Sequence, residues 1–415
     1  MGKTMRIAAS LLLAMGVAGF AFAQNTVKIG VIYPLSGNTA SAGNQAKAGV
    51  ELAADIINGN VKGFDALPLG KGQGLPNLKG AKVELVIADH QGNPSVGQSQ
   101  TLRLITQEKV VAMMGSYESS VSMSATAVAE RHGIPYLVGD SVAADITGRG
   151  FKTVFRTTPI AGDLARTYMD FFGELKSKKG IKVETIALVN ENTDYGTSVS
   201  TTIEKAATDR GFKVLARIPY GKNSADVSSQ VLQLKQLNPD VAIFVSYTQD
   251  AILYVKTMQN LNYMPKICLG EDAGFSDAAT VDAVAPQMKG IFNRSAWAAG
   301  KPGSLTFRLN EIYKKRAGSE ISDPTARSIQ GFLTLADAIN RAGSTDPDKI
   351  IAALKATDHK ASQMMVGYAG VKFDANGQNQ LAATFITQLF GKDYLAVWPF
   401  DRAERELTYP YKGWQ

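Results

Sequence analysis

VVAMMGSYESSVSMSATAVAERHGIPYLVGDSVAADITGRGF, residues 110–151, is the stretch whose reading decides the fold. Val110 to Met114 is a short apolar run that stops at Gly115, the pattern of a buried parallel strand. A polar turn with Ser116, Glu118, Ser119 and Ser120 leads into Val121 to Arg131, whose small and apolar residues suit a helix packed tightly on a sheet. Ile134 to Val138 is the next strand, and it too ends in a glycine-polar turn, Gly139-Asp140-Ser141. Two consecutive strand ends thus present hydroxyls and backbone N–H groups beside a helix N-terminus, where oriented amides and the helix dipole favour a carboxylate or phosphate. Such a crevice lies outside the carboxyl ends of the strands. This is the candidate ligand site. Serines before a helix also serve as plain N-caps, and the two roles can coexist.

The same strand–turn–helix unit extends in both directions. Val27 to Tyr33 ends in Pro34-Leu35-Ser36-Gly37 and is followed by helical spacing from Gln45 to Ile57, and Lys82 to Ala88 is followed by a helix over Val96 to Glu108. Residues 58–80, rich in glycine and holding Pro68 and Pro76, read as an exposed loop with a local turn or hairpin. Its Gly70-Lys71-Gly72-Gln73-Gly74 is no phosphate loop, because no strand runs in and no helix starts straight after. The alternation restarts near Pro159. Glu184 to Asn190 ends in Glu191-Asn192-Thr193-Asp194-Tyr195-Gly196, and Val241 to Val245 ends in Ser246-Tyr247-Thr248. Lys266 to Leu269 ends in Gly270-Glu271-Asp272-Ala273-Gly274, whose two acids are the natural partners for a ligand cation, a solvated acidic loop being the plainer alternative. Gly290 to Ala296 reads as a strand, and Asn376-Gly377 between two β-rich runs predicts a hairpin joining Val371–Asp374 to Ala382–Leu389. This alternation predicts α/β domains with mainly parallel sheets.

A chain of 415 residues, 45% hydrophobic and 20% charged, is long enough for two domains. Lys3 and Arg6 precede the apolar run Ile7 to Phe20, and Ala21-Phe22-Ala23 follows, so residues 1–23 read as a signal peptide cut before Gln24. Losing Lys3 and Arg6 lowers the net charge by two, from +7 to +5, and the remaining charges are scattered, which argues against a nucleic-acid partner. Cys268 is the only cysteine, so no intramolecular disulfide forms and no lipid anchor attaches at the cleavage site. His90, His132 and His359 lack metal-ligand spacing. No nucleophile elbow, P-loop or dinucleotide fingerprint is present; Gly139-Asp140-Ser141 is a feeble esterase-like block, leaving a secreted hydrolase built on Ser141 as a remote rival. The expectation is a non-enzymatic protein without cofactor, metal or catalytic residues.

Several short motifs carry a resemblance. Lys28-Ile29-Gly30-Val31 leading to Pro34-Leu35-Ser36-Gly37, Gly115-Ser116-Tyr117-Glu118-Ser119-Ser120, Thr147-Gly148-Arg149-Gly150-Phe151, Asp194-Tyr195-Gly196 and Asn376-Gly377 stand in an order and spacing similar to type I periplasmic substrate-binding proteins of ABC importers, in the leucine/isoleucine/valine-binding branch. The resemblance implies two doubly wound α/β lobes joined by three hinge crossings, residues 24–158 with 297–381 and residues 159–296 with 382–415. It implies a soluble periplasmic monomer that grips a small-molecule ligand, an amino acid or similar, and serves an ABC permease in the inner membrane. Ser119, with Ser120 beside it, Ser141 and Val142 fall where such proteins bind a carboxylate. Asp272, next to Glu271, falls at the ammonium site, and Tyr195 and Tyr247 fall at second-lobe positions that clamp the ligand. Val142 stands where a threonine is expected, Ala42 replaces a cleft aromatic, and Glu118 and Asp140 add acids. The ligand classes these features imply are a branched-chain or related amino acid, or else an amide or small aromatic or aliphatic carboxylate. A ligand-sensing module of a receptor is the rival role.

Overall fold

β-rich apolar runs in the first third of the chain form β1 (Thr26–Tyr33), β2 (Lys82–Asp89), β3 (Ala112–Gly115), β4 (Tyr136–Val138) and β5 (Val154–Arg156). Between them lie α1 (Ala40–Asn58), α2 (Pro94–Thr106), α3 (Ser119–Arg131) and the single turn α4 (Asp145–Gly148). All five strands pair in parallel in the order β2-β1-β3-β4-β5. The winding reverses between β1 and β3, so a crevice opens beyond their carboxyl ends. The protein is seen here in a computed structural model that describes residues 25–271 and 273–410; the expected leader and Asp272 lie outside the described residues.

The second series is α5 (Ala161–Lys179), β6 (Thr185–Glu191), α6 (Asp194–Asp209), β7 (Lys213–Tyr220), α7 (Ser228–Leu237), β8 (Val241–Val245), α8 (Thr248–Asn260), β9 (Ile267–Gly270), α9 (Ala273–Ser276), α10 (Ala278–Met288) and β10 (Phe292–Ser295). The chain then returns to the first sheet with α11 (Leu305–Ala317), α12 (Asp323–Ala342) and α13 (Pro347–Lys355), where α12 lies along α1 and reaches β4. A two-stranded ribbon, β11 (Asp358–Lys360) with β12 (Gly370–Lys372), precedes β13 (Phe385–Phe390) and β14 (Asp393–Trp398). The second sheet runs β14-β13-β10-β9-β8-β6-β7, parallel except for the antiparallel edge of β13 and β14. The chain therefore passes between the sheets three times, after β5, after β10 and between β12 and β13. No helix among the described residues is long and apolar enough to cross a membrane.

Two features place the site. Helix α12 is buried on nearly every side, and it comes so close to the end of β4 that a Cβ on Gly331 would meet the Gly139 Cα at 3.1 Å. That approach brings Arg327 and Ser328 against Asp140. The second feature corrects an expectation. Asn376-Gly377 does close a short hairpin, with Gly377 at φ +79°, the Asp374 N–H on the Gln378 carbonyl at 2.8 Å and Phe373 bridged antiparallel to Asn379, but the partner is not the expected Ala382–Leu389, since β12 and β13 do not pair with each other. The turn lies along β5 instead: Arg156 N–H donates to the Gly377 carbonyl (2.8 Å) and Asn379 N–H to the Arg156 carbonyl (2.9 Å). A turn motif fixes only local geometry, and here the strand after it crosses to the other sheet.

Candidate functional site

The strand ends named from the sequence converge. Ser119 opens α3, and its hydroxyl accepts the Ala143 N–H at 3.3 Å, joining the third-strand turn to the fourth. Ser141 donates to the Tyr117 carbonyl (3.0 Å) and lies 2.7 Å from the Ser122 hydroxyl, so it braces the same two turns. No side chain caps α3, which leaves the N–H groups of its first turn to other partners. Ser120 sits half-buried on that turn and does not line the cavity. Val142 does, as an apolar wall.

From the second sheet, Tyr195 opens α6 and Tyr247 precedes α8. Gly196 lets α6 start against the end of β6, since a Cβ there would lie 2.0 Å from the Glu191 carbonyl oxygen. The Tyr195 hydroxyl donates to the Glu271 carbonyl (2.8 Å) and to its carboxylate. The Tyr247 ring lies 5.1 Å from Tyr195 and 5.6 Å from Tyr117, so three rings bridge the two sheets. The space they enclose with Ser119, Ser141 and Val142 is about 10 Å³, room for roughly one water molecule, and Asp140 and Arg327 close its far wall.

Behind that wall runs a buried ionic chain that sequence reasoning missed. Glu271 accepts from Arg294 (3.0 and 3.1 Å), Arg294 faces Asp323 (3.7 Å), Asp323 accepts from Arg327 (2.8 Å), and Arg327 pairs with the Asp140 carboxylate (3.1 Å) and its carbonyl (2.7 Å). Its signal in the sequence was an acid and an arginine four residues apart, Asp323 and Arg327, at the start of helix α12. Glu271, one of the two acids expected to meet a ligand cation, is thus already paired with Arg294. Nearer the mouth of the cleft, buried Glu118 accepts from Thr39 (2.6 Å) and faces Lys222 of the other lobe at 3.7 Å. The Lys222 ammonium lies 5.2 Å over the Tyr247 ring, a cation–π contact. Ala144 N–H to Ser198 (3.0 Å) and Ser41 to Asp277 (2.8 Å) also join the lobes, which face each other in a closed arrangement.

Burial pushes the Asp140 carboxyl up to about 7, with Arg327 opposing and Asp323 reinforcing the shift, and burial pushes Asp250 on α8 up to about 6. Both acids hold their protons more tightly folded than unfolded, where the ordinary value is 3.8. Their contribution to stability is therefore complete below about pH 4 and is lost as pH rises through 6 to 7. Asp240, held down at about 2 with Lys266 and backbone N–H groups donating to it, acts in the opposite sense and only below that window. The urea midpoint of the ligand-free protein should fall between pH 5 and pH 8, and Asp250→Asn should flatten the fall. An unchanged midpoint would show that neither acid is shifted.

A sequence-family profile described as Periplasmic binding protein matches residues 26–392. The chain is 32% identical over 416 aligned positions to the Leu/Ile/Val-binding protein homolog 8 of Brucella suis biovar 1 (strain 1330), covering 97% of this chain and 98% of that protein. Among solved structures, the branched-chain amino acid transporter substrate binding protein LivJ from Streptococcus pneumoniae, in complex with isoleucine, matches with a TM-score of 0.74 at 20% identity, covering 93% of this chain and 100% of that one. A solute binding protein of an ABC transporter from R. palustris, in complex with benzoate, matches with a TM-score of 0.74 at 19% identity, covering 90% and 96%. At these identities the structural likeness establishes the fold.

Proposed function

The chain belongs to the periplasmic binding protein family, and from that membership we propose that it is exported to the periplasm, captures a small carboxylate-bearing ligand, foremost a branched-chain or related amino acid, and presents it to the permease of an ABC importer. The observation that carries this reading is a cavity walled from both sheets, with hydroxyls and a helix N-terminus on one side and tyrosines on the other. A ligand carboxylate would take the Ser119 hydroxyl and the N–H groups at the start of α3, which no side chain caps. Its apolar part would lie among Val142, Tyr117, Tyr195 and Tyr247. Contacts from both lobes favour the closed state, and closure changes the surface offered to the permease. In this reading Glu271 orients Tyr195, while Asp272 keeps the role of ammonium partner that the sequence resemblance implies. The three tyrosine rings favour, as a second reading, a small aromatic carboxylate in the same place.

A thermal-shift screen of the mature protein against leucine, isoleucine, valine, benzoate and small amides tests the proposal. A ligand at 100 times its Kd should stabilise the fold by about 2.7 kcal/mol. Ser119→Ala should weaken that ligand by roughly tenfold or more, the loss of a charge-assisted hydrogen bond of about 1.5–3 kcal/mol. A shift with benzoate alone selects the second reading, and no shift with any of them defeats both.

A further inference from the structure

We propose that the cavity on the flank of the second crossing is a second ligand site, built for a small molecule that carries an amide or other carbonyl acceptor on an apolar body and bears no negative charge. This site lies outside the ligand cleft, and its occupancy does not depend on the capture reading above. The cavity measures about 640 Å³, within the range of small-molecule sites, roughly 300–1,000 Å³. It shares no lining residue with the cleft cavity. The buried ionic chain is the partition between the two, with Asp140 and Arg327 facing the cleft and Asp323 facing the flank. Both lobes supply its walls: Trp297 stands on the crossing, Phe307 and Asn310 on α11, Val281 on α10 and Tyr394 on β14.

Two donors on that lining have no protein partner. Trp297 is 7% exposed and Asn310 is 3% exposed, so both side chains are more than nine-tenths buried. The Asn310 amide oxygen is used, accepting the Ile321 N–H at 2.8 Å. Its NH₂ group and the Trp297 indole N–H donate to nothing among the described residues, and neither nitrogen is sealed from solvent. Buried donors left open toward a cavity are satisfied by an acceptor on whatever occupies it. Trp297, Phe307 and Tyr394 add aromatic faces against which a ring or a branched tail can lie. The charges at the rim disfavour an anion. The two lysines that line it are taken, Lys314 by Glu320 at 2.9 Å and Lys392 by Asp282 at 2.6 Å, while Glu311, Asp393 and Glu404 add carboxylates.

The decisive measurement is nuclear magnetic resonance of the mature protein with isotope-labelled tryptophan. The three tryptophans give three indole N–H resonances, and Trp297→Phe identifies the one from the cavity. Benzamide, which has a carbonyl acceptor and an apolar face without charge, should move that resonance along a saturable curve, with or without leucine present. Benzoate, of the same shape but anionic, should leave it in place. Asn310→Asp removes the NH₂ donor, keeps an oxygen for Ile321, and should weaken benzamide by about tenfold or more. Phe307 is only half-buried, so Phe307→Ala should fold, and it should weaken benzamide several-fold through the loss of one apolar wall. The site is overturned if benzamide leaves the Trp297 resonance unmoved, if benzoate moves it equally, or if neither variant changes the benzamide curve. A silent Trp297 beside measurable leucine binding removes this site and leaves ligand capture standing, whereas a benzamide response without any amino-acid or carboxylate binding removes capture and leaves this site.

Discussion

Asp323→Ala is expected to lower the stability of the folded protein by about 3–5 kcal/mol, the cost of removing one partner from a buried ion pair. Asp323 stands in the first turn of α12, where the helix dipole favours an acid. One of its oxygens takes the Ser295 hydroxyl at 3.1 Å and the Ala296 N–H, which fixes the chain as it leaves β10 for the first lobe. The other faces both Arg327 at 2.8 Å and Arg294 at 3.7 Å. Without it Arg294 and Arg327 each lose a buried carboxylate that they face, and the second lobe crossing loses its anchor. Equilibrium urea unfolding at pH 7 gives the measure. The double variant Asp323→Ala, Arg327→Met should recover part of the loss, because removing both members of a buried pair costs far less than removing one. A single-variant loss below about 1 kcal/mol, the range of an exposed pair, would mean that the chain of charges contributes little.

Much of this architecture was legible in the sequence because a parallel strand covered on both faces must be apolar along its length, and β3, β4 and β8 are such strands, while β1 and β6 are so through their middles. Strand ends in an open α/β sheet face the crevice whatever the details, so Ser119 and Ser141 could be placed there from position, while Val142, Tyr195 and Tyr247 were singled out through the family resemblance. The roles within that group were harder to read. Whether a serine hydroxyl meets a ligand or a neighbouring turn depends on which turn lies beside it, and Ser141 proves to be bonded to the Tyr117 carbonyl and to Ser122. Asp323, Arg327 and Arg294 were out of reach for a deeper reason. They enter the site through α12 and β10, far along the chain, and only the return of α12 to lie over β4 brings a guanidinium to Asp140. The Asn376-Gly377 turn shows the same logic: local chemistry closed a short hairpin, with Phe373 bridged antiparallel to Asn379, and tertiary connection sent the following strand to the other sheet.

Arg156→Met should be as damaging, and its effect should reach ligand binding as well as stability. Arg156 is fully buried at the end of β5, and burial depresses its guanidinium to about 9. Its Nε donates to Gln378 at 2.7 Å, one terminal nitrogen to the Ala143 and Ser141 carbonyls at 2.6 and 3.3 Å, and the other to the Thr147 hydroxyl at 2.7 Å. One side chain thus ties the third crossing to the very turn that carries Ser141 and Val142. Each buried acceptor left without its donor costs about 1–3 kcal/mol, so the four together place the loss at roughly 3 kcal/mol or more even if some find other partners. Methionine keeps the length and apolar bulk of the stem, which confines the change to the hydrogen bonds. The β4–α4 turn would loosen, and since Ala143 also donates to Ser119, the carboxylate pole would loosen with it. Arg156→Lys retains the charge but not the fork of donors, and should recover only part of the stability. Unfolding and ligand titration on both variants separate two outcomes: a parallel loss of stability and affinity supports the coupling of crossing to site, whereas a stability loss with unchanged affinity would show that the turn is held in place by the sheet alone.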